Sequence, residues 1–471
     1  MYWLLRITGK LLSLLPLSAA EGLASVLGWL LFVVPSRRKR ILLSNLHHAF
    51  PDKSEAWRRR IARVSCSRTI EMGLFNIVSS HFSQERYQRC LEMDPEGERA
   101  FEEALKEGRP MLFLGAHFSM VETFNAWPAV SRFPMPEMGV LYRPYKHPKI
   151  DALIKRNRQR CGARLFSRRE GFAEFGRILS RGGCGAILFD QNSGRMGSLI
   201  PFFGRVSSAT ELPGLFAKKY RAIVWMGHLE RLSIFKARFH LFRLDGDMSD
   251  SREVTLASNA WLEDRLRASD DWCADWLWTH NRWKILHRAP VCLSMRHKKV
   301  LVDFGSLPDR KTRIWLCLRK ASACREALES FVAALRISRP DASVTLLSED
   351  AVRFSQDAPS VVDAAIDLPA SFRNAWSKAW ELRGAYPDIC LIPEDDARLR
   401  LLVRVFGAPL RIGMRNRTAS AGMWLTHGWR VPDGGGAHST ETWLAFGRGF
   451  GMQIPGESVH NEEDDHQDSE E

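Results

Sequence analysis

Short apolar runs that alternate with amphipathic stretches beyond Pro95 constrain this chain most, because such alternation buries a sheet between helices. The strand-like runs lie at residues 111–114, 138–142, 163–166, 186–189, 223–229 and 239–244. Helix patterns lie between them, at 96–106, 119–130, 148–161, 171–181, 212–220 and 252–268. This order predicts an α/β sandwich around a mixed sheet. A second alternating unit follows, with strands expected at 313–318 and 343–347 and a helix at 325–337.

At 471 residues the chain exceeds one ordinary core, and 45% hydrophobic residues suffice to bury two or three. The expected organisation is an amino-terminal membrane anchor at 1–40, a first α/β domain at 41–290, a linker at 291–311, a second, smaller Rossmann-like α/β domain at 312–454, and an acidic tail at 455–471. The linker is marked by Pro290, the basic stretch Arg296-His-Lys-Lys and Gly305-Ser-Leu-Pro-Asp. The tail, too polar to form a core, carries eight acids and no Lys or Arg from Glu457 onward.

The formal charge is +14 despite that tail, so the body is more basic still. Such a surface suits nucleic acid, anionic lipid or an acidic carrier protein. No zinc-finger spacing or RNA-reading aromatic motif occurs, whereas sixteen tryptophans and an apolar amino terminus favour lipid over nucleic acid. In the run from Leu17 to Val34 the only charge is Glu21, and 18 helical residues span about 27 Å, marginally enough to cross a bilayer. Arg37-Arg38-Lys39-Arg40 follows, which by the positive-inside tendency puts the next domain on the cytoplasmic side. The nine cysteines are scattered, odd in number and never spaced as a metal knuckle, as free thiols of a reducing compartment would be.

His117 and Glu122 stand in Met111-Leu-Phe-Leu-Gly-Ala-His-Phe-Ser-Met-Val-Glu122. On one helix, five steps of about 100° would put them roughly 140° apart. They meet if 111–114 is a strand, Gly115-Ala116 turns the chain, and a helix begins near Ser119. Glu122 would then hold one ring nitrogen of a histidine placed at a strand's carboxyl end, making an oriented general base. The alternative is a capping histidine and a first-turn glutamate. Neither residue belongs to a His-Glu-X-X-His zinc helix, so no metal is expected.

Several stretches resemble the lipid A biosynthesis (late) acyltransferases over about residues 1–290. They are the His117–Glu122 block, Tyr142-Arg-Pro-Tyr-Lys-His-Pro148, Arg164 with Arg168-Arg169-Glu-Gly171, Asp190-Gln-Asn-Ser-Gly194, Pro201-Phe-Phe-Gly204 and Trp276-Leu-Trp-Thr-His-Asn-Arg-Trp-Lys284. The resemblance implies a lysophospholipid-acyltransferase-like fold and acyl transfer from acyl carrier protein or a CoA thioester to a hydroxyl of a lipid A precursor, without a further cofactor. The implied place is the cytoplasmic face of the inner membrane, beside membrane lipid. His117 becomes the base and Glu122 its orienting partner.

Arg143, Arg164 and Arg169 become candidates for sugar phosphates or an acidic carrier, with solvated helix-end charges as the alternative. Asp190 follows its strand as His117 follows its own, so both can reach one sheet edge. Asp190 and Gln191 are thus substrate-site candidates, or else a strand-end turn. Phe202 and Phe203 line an acyl channel or pack the core. His280 is a second candidate for chemistry. Rival readings are acylation of another glycolipid or lysophospholipid, or a silent membrane scaffold for envelope-lipid enzymes.

The second unit resembles the amino-terminal, acceptor-side half of ADP-heptose heptosyltransferases. The stretches are Arg339-Pro-Asp-Ala-Ser-Val-Thr-Leu-Leu347, Tyr386-Pro-Asp-Ile-Cys-Leu391, Phe406-Gly-Ala-Pro-Leu-Arg-Ile-Gly413 and the segment from His438 to Gly451. Where that family carries a Gly-Asp pair, this chain has Ala323-Cys324. The departure argues against sugar transfer and for a module that holds a glycolipid or a partner enzyme, with a structural remnant without ligand as the alternative.

Overall fold

The computed structural model describes residues 2–167, 171–284, 292–295, 299–302, 312–415, 424–431 and 439–454. Arg168, Arg169, most of the linker and the acidic tail lie outside the described residues. The chain divides into two compact units, one of residues 1–203 and 207–284, the other of 204–206 and 285 onward.

The first unit opens with four helices, α1 (Tyr2–Ser13), α2 (Leu17–Val33), α3 (Arg37–Ala49) and α4 (Glu55–Val78). Among the described residues no single helix is long and apolar enough to cross a membrane; the one bent pair that passes on composition, α2 with α3, turns by 83°. The apolar run expected from Leu17 to Val34 forms one helix that ends at Val33: Val34 is already extended, and Ser36 caps a new helix by accepting the Lys39 N–H. α2 packs Ala20, Ala24 and Gly28, spaced four residues apart, toward the interior. A Cβ on Gly28 would lie 2.5 Å from the Ser67 Cα on α4, so only glycine permits this approach. The outward face of α2 stays apolar and open, with Leu17 52%, Val26 57% and Trp29 49% exposed, as does α1, with Trp3 67% exposed.

The strands of this unit are β1 (Leu91–Met93), β2 (Met111–Gly115), β3 (Met138–Tyr142), β4 (Arg164–Ser167), β5 (Cys184–Leu188), the hairpin β6 (Ser198–Phe202) and β7 (Arg205–Ala209), and then β8 (Ile223–Ser233) and β9 (Lys236–Arg243). Seven of them form one sheet in the order β1-β9-β8-β2-β5-β3-β4, parallel throughout except for the β8–β9 pair. β2 lies near the middle, and its run of apolar residues is what a strand covered on both faces requires. The helix expected from Ser119 is instead a 3-10 segment, Val121–Ala126, followed by one turn, Trp127–Val130. Thr123 Oγ1 donates to the Met120 carbonyl and Asn125 Nδ2 to the Glu122 carbonyl, local bonds that compete with a regular helix.

The second unit holds β10 (Thr312–Cys317), β11 (Ala342–Ser348), β12 (Ala364–Asp367), β13 (Ile389–Ile392), β14 (Leu410–Arg415) and β15 (His427–Arg430). All are parallel, in the order β12-β11-β10-β13-β14-β15, which is the 3-2-1-4-5-6 winding of a Rossmann sheet. Arg339 and Asp341, two of the residues that carried the sequence resemblance, form a buried bidentate ion pair at 2.8 and 2.9 Å. Their role is internal.

Candidate active site

Strand register assembles the site. β2 and β5 are adjacent and parallel, with Gly115 opposite Leu188, so residues two places beyond each strand end come side by side. Those residues are His117 and Asp190. The Asp190 Oδ1 lies 2.6 Å from the His117 Nδ1, and Oδ2 accepts the His117 backbone N–H at 2.9 Å and the Trp276 indole N–H at 2.7 Å.

The contact shifts both groups. Burial alone would lift the Asp190 carboxyl, but the His117 ring and the N–H donors outweigh it and hold the carboxyl well below the usual carboxylate range. Burial likewise pushes the His117 imidazole down, and the adjacent Asp190 carboxylate, helped by Glu122, overrides it, so the net direction is up. With Nδ1–H committed to Asp190, Nε2 has no protein partner among the described residues, and the side chain keeps 20% exposure. An imidazole so held can take a proton from a group arriving at the sheet edge.

No hydrogen bond joins Glu122 to His117 among the described residues. Its carboxylate is clamped by Arg158, with Nε donating to Oε2 at 2.8 Å and a second bond from Nη2 to Oε1. The pairing has a geometric cause: the 3-10 segment directs Glu122 toward the helix Pro148–Gln159 that carries Arg158, a bidentate fit that the guanidinium favours. Arg158 was not among the sequence candidates. Its only sequence signal is a place in the last turn of an otherwise unremarked helix.

Arg143 directly follows β3 at the same sheet edge as His117, and it is exposed with no ion pair among the described residues. Arg164 begins β4 and so lies at the opposite, amino-terminal end of the strands, paired with Glu137 and half exposed. That position corrects its assignment to the substrate site. Gln191 contributes its backbone carbonyl, which accepts from the buried guanidinium of Arg282 at 3.1 Å.

Phe202 and Phe203 are both buried. Phe202 packs on Trp276 and Trp283 with ring centroids at 6.0 and 5.8 Å, and Phe203 meets Phe50 at 5.1 Å. They are core side chains behind Trp276, and the channel assignment is corrected accordingly. His280 is pushed down to about 4 by burial, and its Nε2 accepts the Asn192 N–H at 3.0 Å, so it serves as a neutral acceptor that fixes the loop after Asp190. Burial pushes the Cys324 thiol up to about 12, which deprives it of nucleophilic character. A cavity of about 680 Å³ opens at the other end of the strands, lined by Arg109, Arg221, Arg243, Asp245 and Met248, with no dyad in its wall. The sheet edge with His117 is therefore the better candidate, since the chemistry is there.

A histidine–carboxylate pair at the carboxyl edge of a largely parallel sheet defines an α/β protein with a candidate acid–base site. Residues 1–285 match the family described as bacterial lipid A biosynthesis acyltransferase, and the chain belongs to that family. A lipid A biosynthesis acyltransferase of Haemophilus influenzae is 27% identical over 222 residues, which cover 45% of this chain and 66% of that relative. Among solved structures, the chain is similar to a family 9 glycosyl transferase from Veillonella parvula (TM-score 0.27, 16% identity, 31% of this chain and 42% of that one). It is also similar to the E. coli heptosyltransferase WaaC with ADP-2-deoxy-2-fluoro heptose (TM-score 0.25, 16% identity, 31% and 51%). Likenesses this low carry no functional inference.

Proposed function

We propose that this protein transfers a fatty acyl group from a thioester, on acyl carrier protein or CoA, to a hydroxyl of a lipid A precursor. The observation that carries the reading is the His117–Asp190 dyad at the sheet edge, in a chain of the lipid A acyltransferase family. In this scheme His117 Nε2 removes the hydroxyl proton as the oxygen attacks the thioester carbonyl. The carbon–sulfur bond then breaks, and the departing thiolate takes the proton from the imidazolium. A positioned base of this kind is worth about 10²- to 10⁴-fold, and no covalent enzyme intermediate is needed.

Asp190, in place of Glu122, keeps Nδ1 protonated and so keeps Nε2 free to accept. The Glu122–Arg158 pair braces the loop on the far side, and Arg143 is available for a phosphate of the acceptor. The open apolar faces of α1 and α2, followed by the run from Arg37 to Arg40, suit helices that lie in the headgroup layer of the cytoplasmic leaflet of the inner membrane. The second unit is proposed to hold the glycolipid or another enzyme of the pathway.

Mass spectrometry of lipid A from cells with and without the protein tests the substrate, and one missing acyl group is the expected difference. Purified His117→Ala should lose transfer by at least about 10²-fold. Unchanged transfer would favour a scaffold, and an altered phospholipid profile with intact lipid A would favour another acceptor.

A further inference from the structure

The loop that carries His117 is gripped from outside the sheet. The Leu277 N–H donates to the His117 carbonyl at 3.0 Å, the Ser119 N–H donates to the Asp275 carbonyl at 3.2 Å, and Phe118 bridges Trp276 in antiparallel fashion. Within this grip the Ser119 hydroxyl donates to Asp275 Oδ1, and both residues are buried. Trp276, in the same segment, holds the Asp190 carboxylate. Residues 275–277 therefore touch both partners of the dyad.

Asp275 is an expensive choice for such a place. Its Oδ2 is buried without a hydrogen-bond partner, and its nearest cation, Arg68 Nε, stands 3.8 Å from Oδ1. Burial pushes the carboxyl up to about 6, against the Ser119 hydroxyl and the charge of Arg68 and Arg231, while Glu71 adds to the rise. Stability alone would favour an uncharged side chain here. The carboxyl is also braced: Arg68 pairs with Glu71, Glu71 with Arg231 at 2.7 Å, and Arg231 with Glu21 on α2 at 2.9 Å.

We propose that Asp275 is a positioning residue for His117: by holding Ser119 it fixes the loop at the height where Nδ1 meets Asp190 and Nε2 faces the acyl acceptor. The role rests on the reading of His117 as the base. Asp275 touches no substrate. It acts on catalysis through a hydroxyl two residues from the imidazole.

The test uses the full chain and two readouts. The first is the pH dependence of diethyl pyrocarbonate modification at His117, followed by peptide mass spectrometry. The second is kcat and KM for acyl transfer. In Asp275→Ala the His117 titration should fall by about half a unit or more toward its ordinary value, because the contact with Asp190 slackens. Its kcat should drop about tenfold or more with KM little changed. Asp275→Asn still offers an oxygen to Ser119 and should restore both readouts. Its thermal midpoint at pH 8 should equal or exceed that of the native protein, because the native carboxyl's raised value means its contribution is lost as pH rises from 3.8 to about 6. If Asp275→Ala fails to fold, Ser119→Ala removes the same bond and should move both readouts the same way. An unshifted His117 titration in either variant, or no rescue by asparagine, overturns the proposal. A native protein that transfers no acyl group while the titration still shifts overturns the proposed activity and leaves the positioning role supported.

Discussion

Replacing Asp190 with asparagine removes the charge that holds the imidazole while keeping the side chain's shape. The expected loss in kcat is about 10²- to 10⁴-fold, because an amide can stabilise the wrong tautomer and no longer offsets imidazolium charge. The pH profile separates this from a simple structural fault. His117 in the native protein titrates above its ordinary value, so activity should rise with pH through that raised value as the base loses its proton. In Asp190→Asn the limb should move to lower pH, since burial then acts without its counterweight. The linked stability has the opposite sense: the pair's contribution is present below the histidine's ordinary value and is lost as pH rises through the folded one. A limb that stays in place would show that Asp190 does not set the base. Glu122→Gln should also move the limb to lower pH, but by less than Asp190→Asn does, because Glu122 bonds to Arg158 and reaches His117 only through space.

At the scale of elements, α2 and the β2–β5 pair carry the argument. α2 lies on α4 because Ala20, Ala24 and Gly28 present a smooth stripe, and its outward residues remain greasy. Gly28→Ala should destabilise the unit by about 1–3 kcal/mol, since the obstructing atoms are backbone and cannot turn aside. A denaturant midpoint equal to that of the native protein would refute this. The strand runs were legible because apolar stretches bounded by turns need no partner to be recognised. The hairpin β6–β7 was not, since its alternation is short and three of the five residues of its second strand, Arg205–Ala209, are polar by composition. The helix expected at Ser119 failed for a related reason: side-chain bonds from Thr123 and Asn125 override a permissive pattern.

For the molecule as a whole, the proposed association with anionic membranes rests on charge and greasy helices together. The chain should sediment with vesicles containing phosphatidylglycerol at about 50 mM salt and bind several-fold more weakly at about 1 M, where the screening length shrinks to roughly 3 Å. Binding indifferent to both salt and lipid charge would exclude the basic surface as a contributor. The composition and the alternation of elements were enough to expect two α/β units, an amino-terminal apolar segment and a reactive edge near His117. These depend on local patterns, which a chain displays in its order of residues. What the tertiary structure alone decided is which carboxylate meets that histidine. Glu122 is five residues away and turns to Arg158, while Asp190, seventy-three residues distant, arrives because parallel strands align Gly115 with Leu188. Register between strands is a property of the assembled sheet, and no spacing within one segment encodes it.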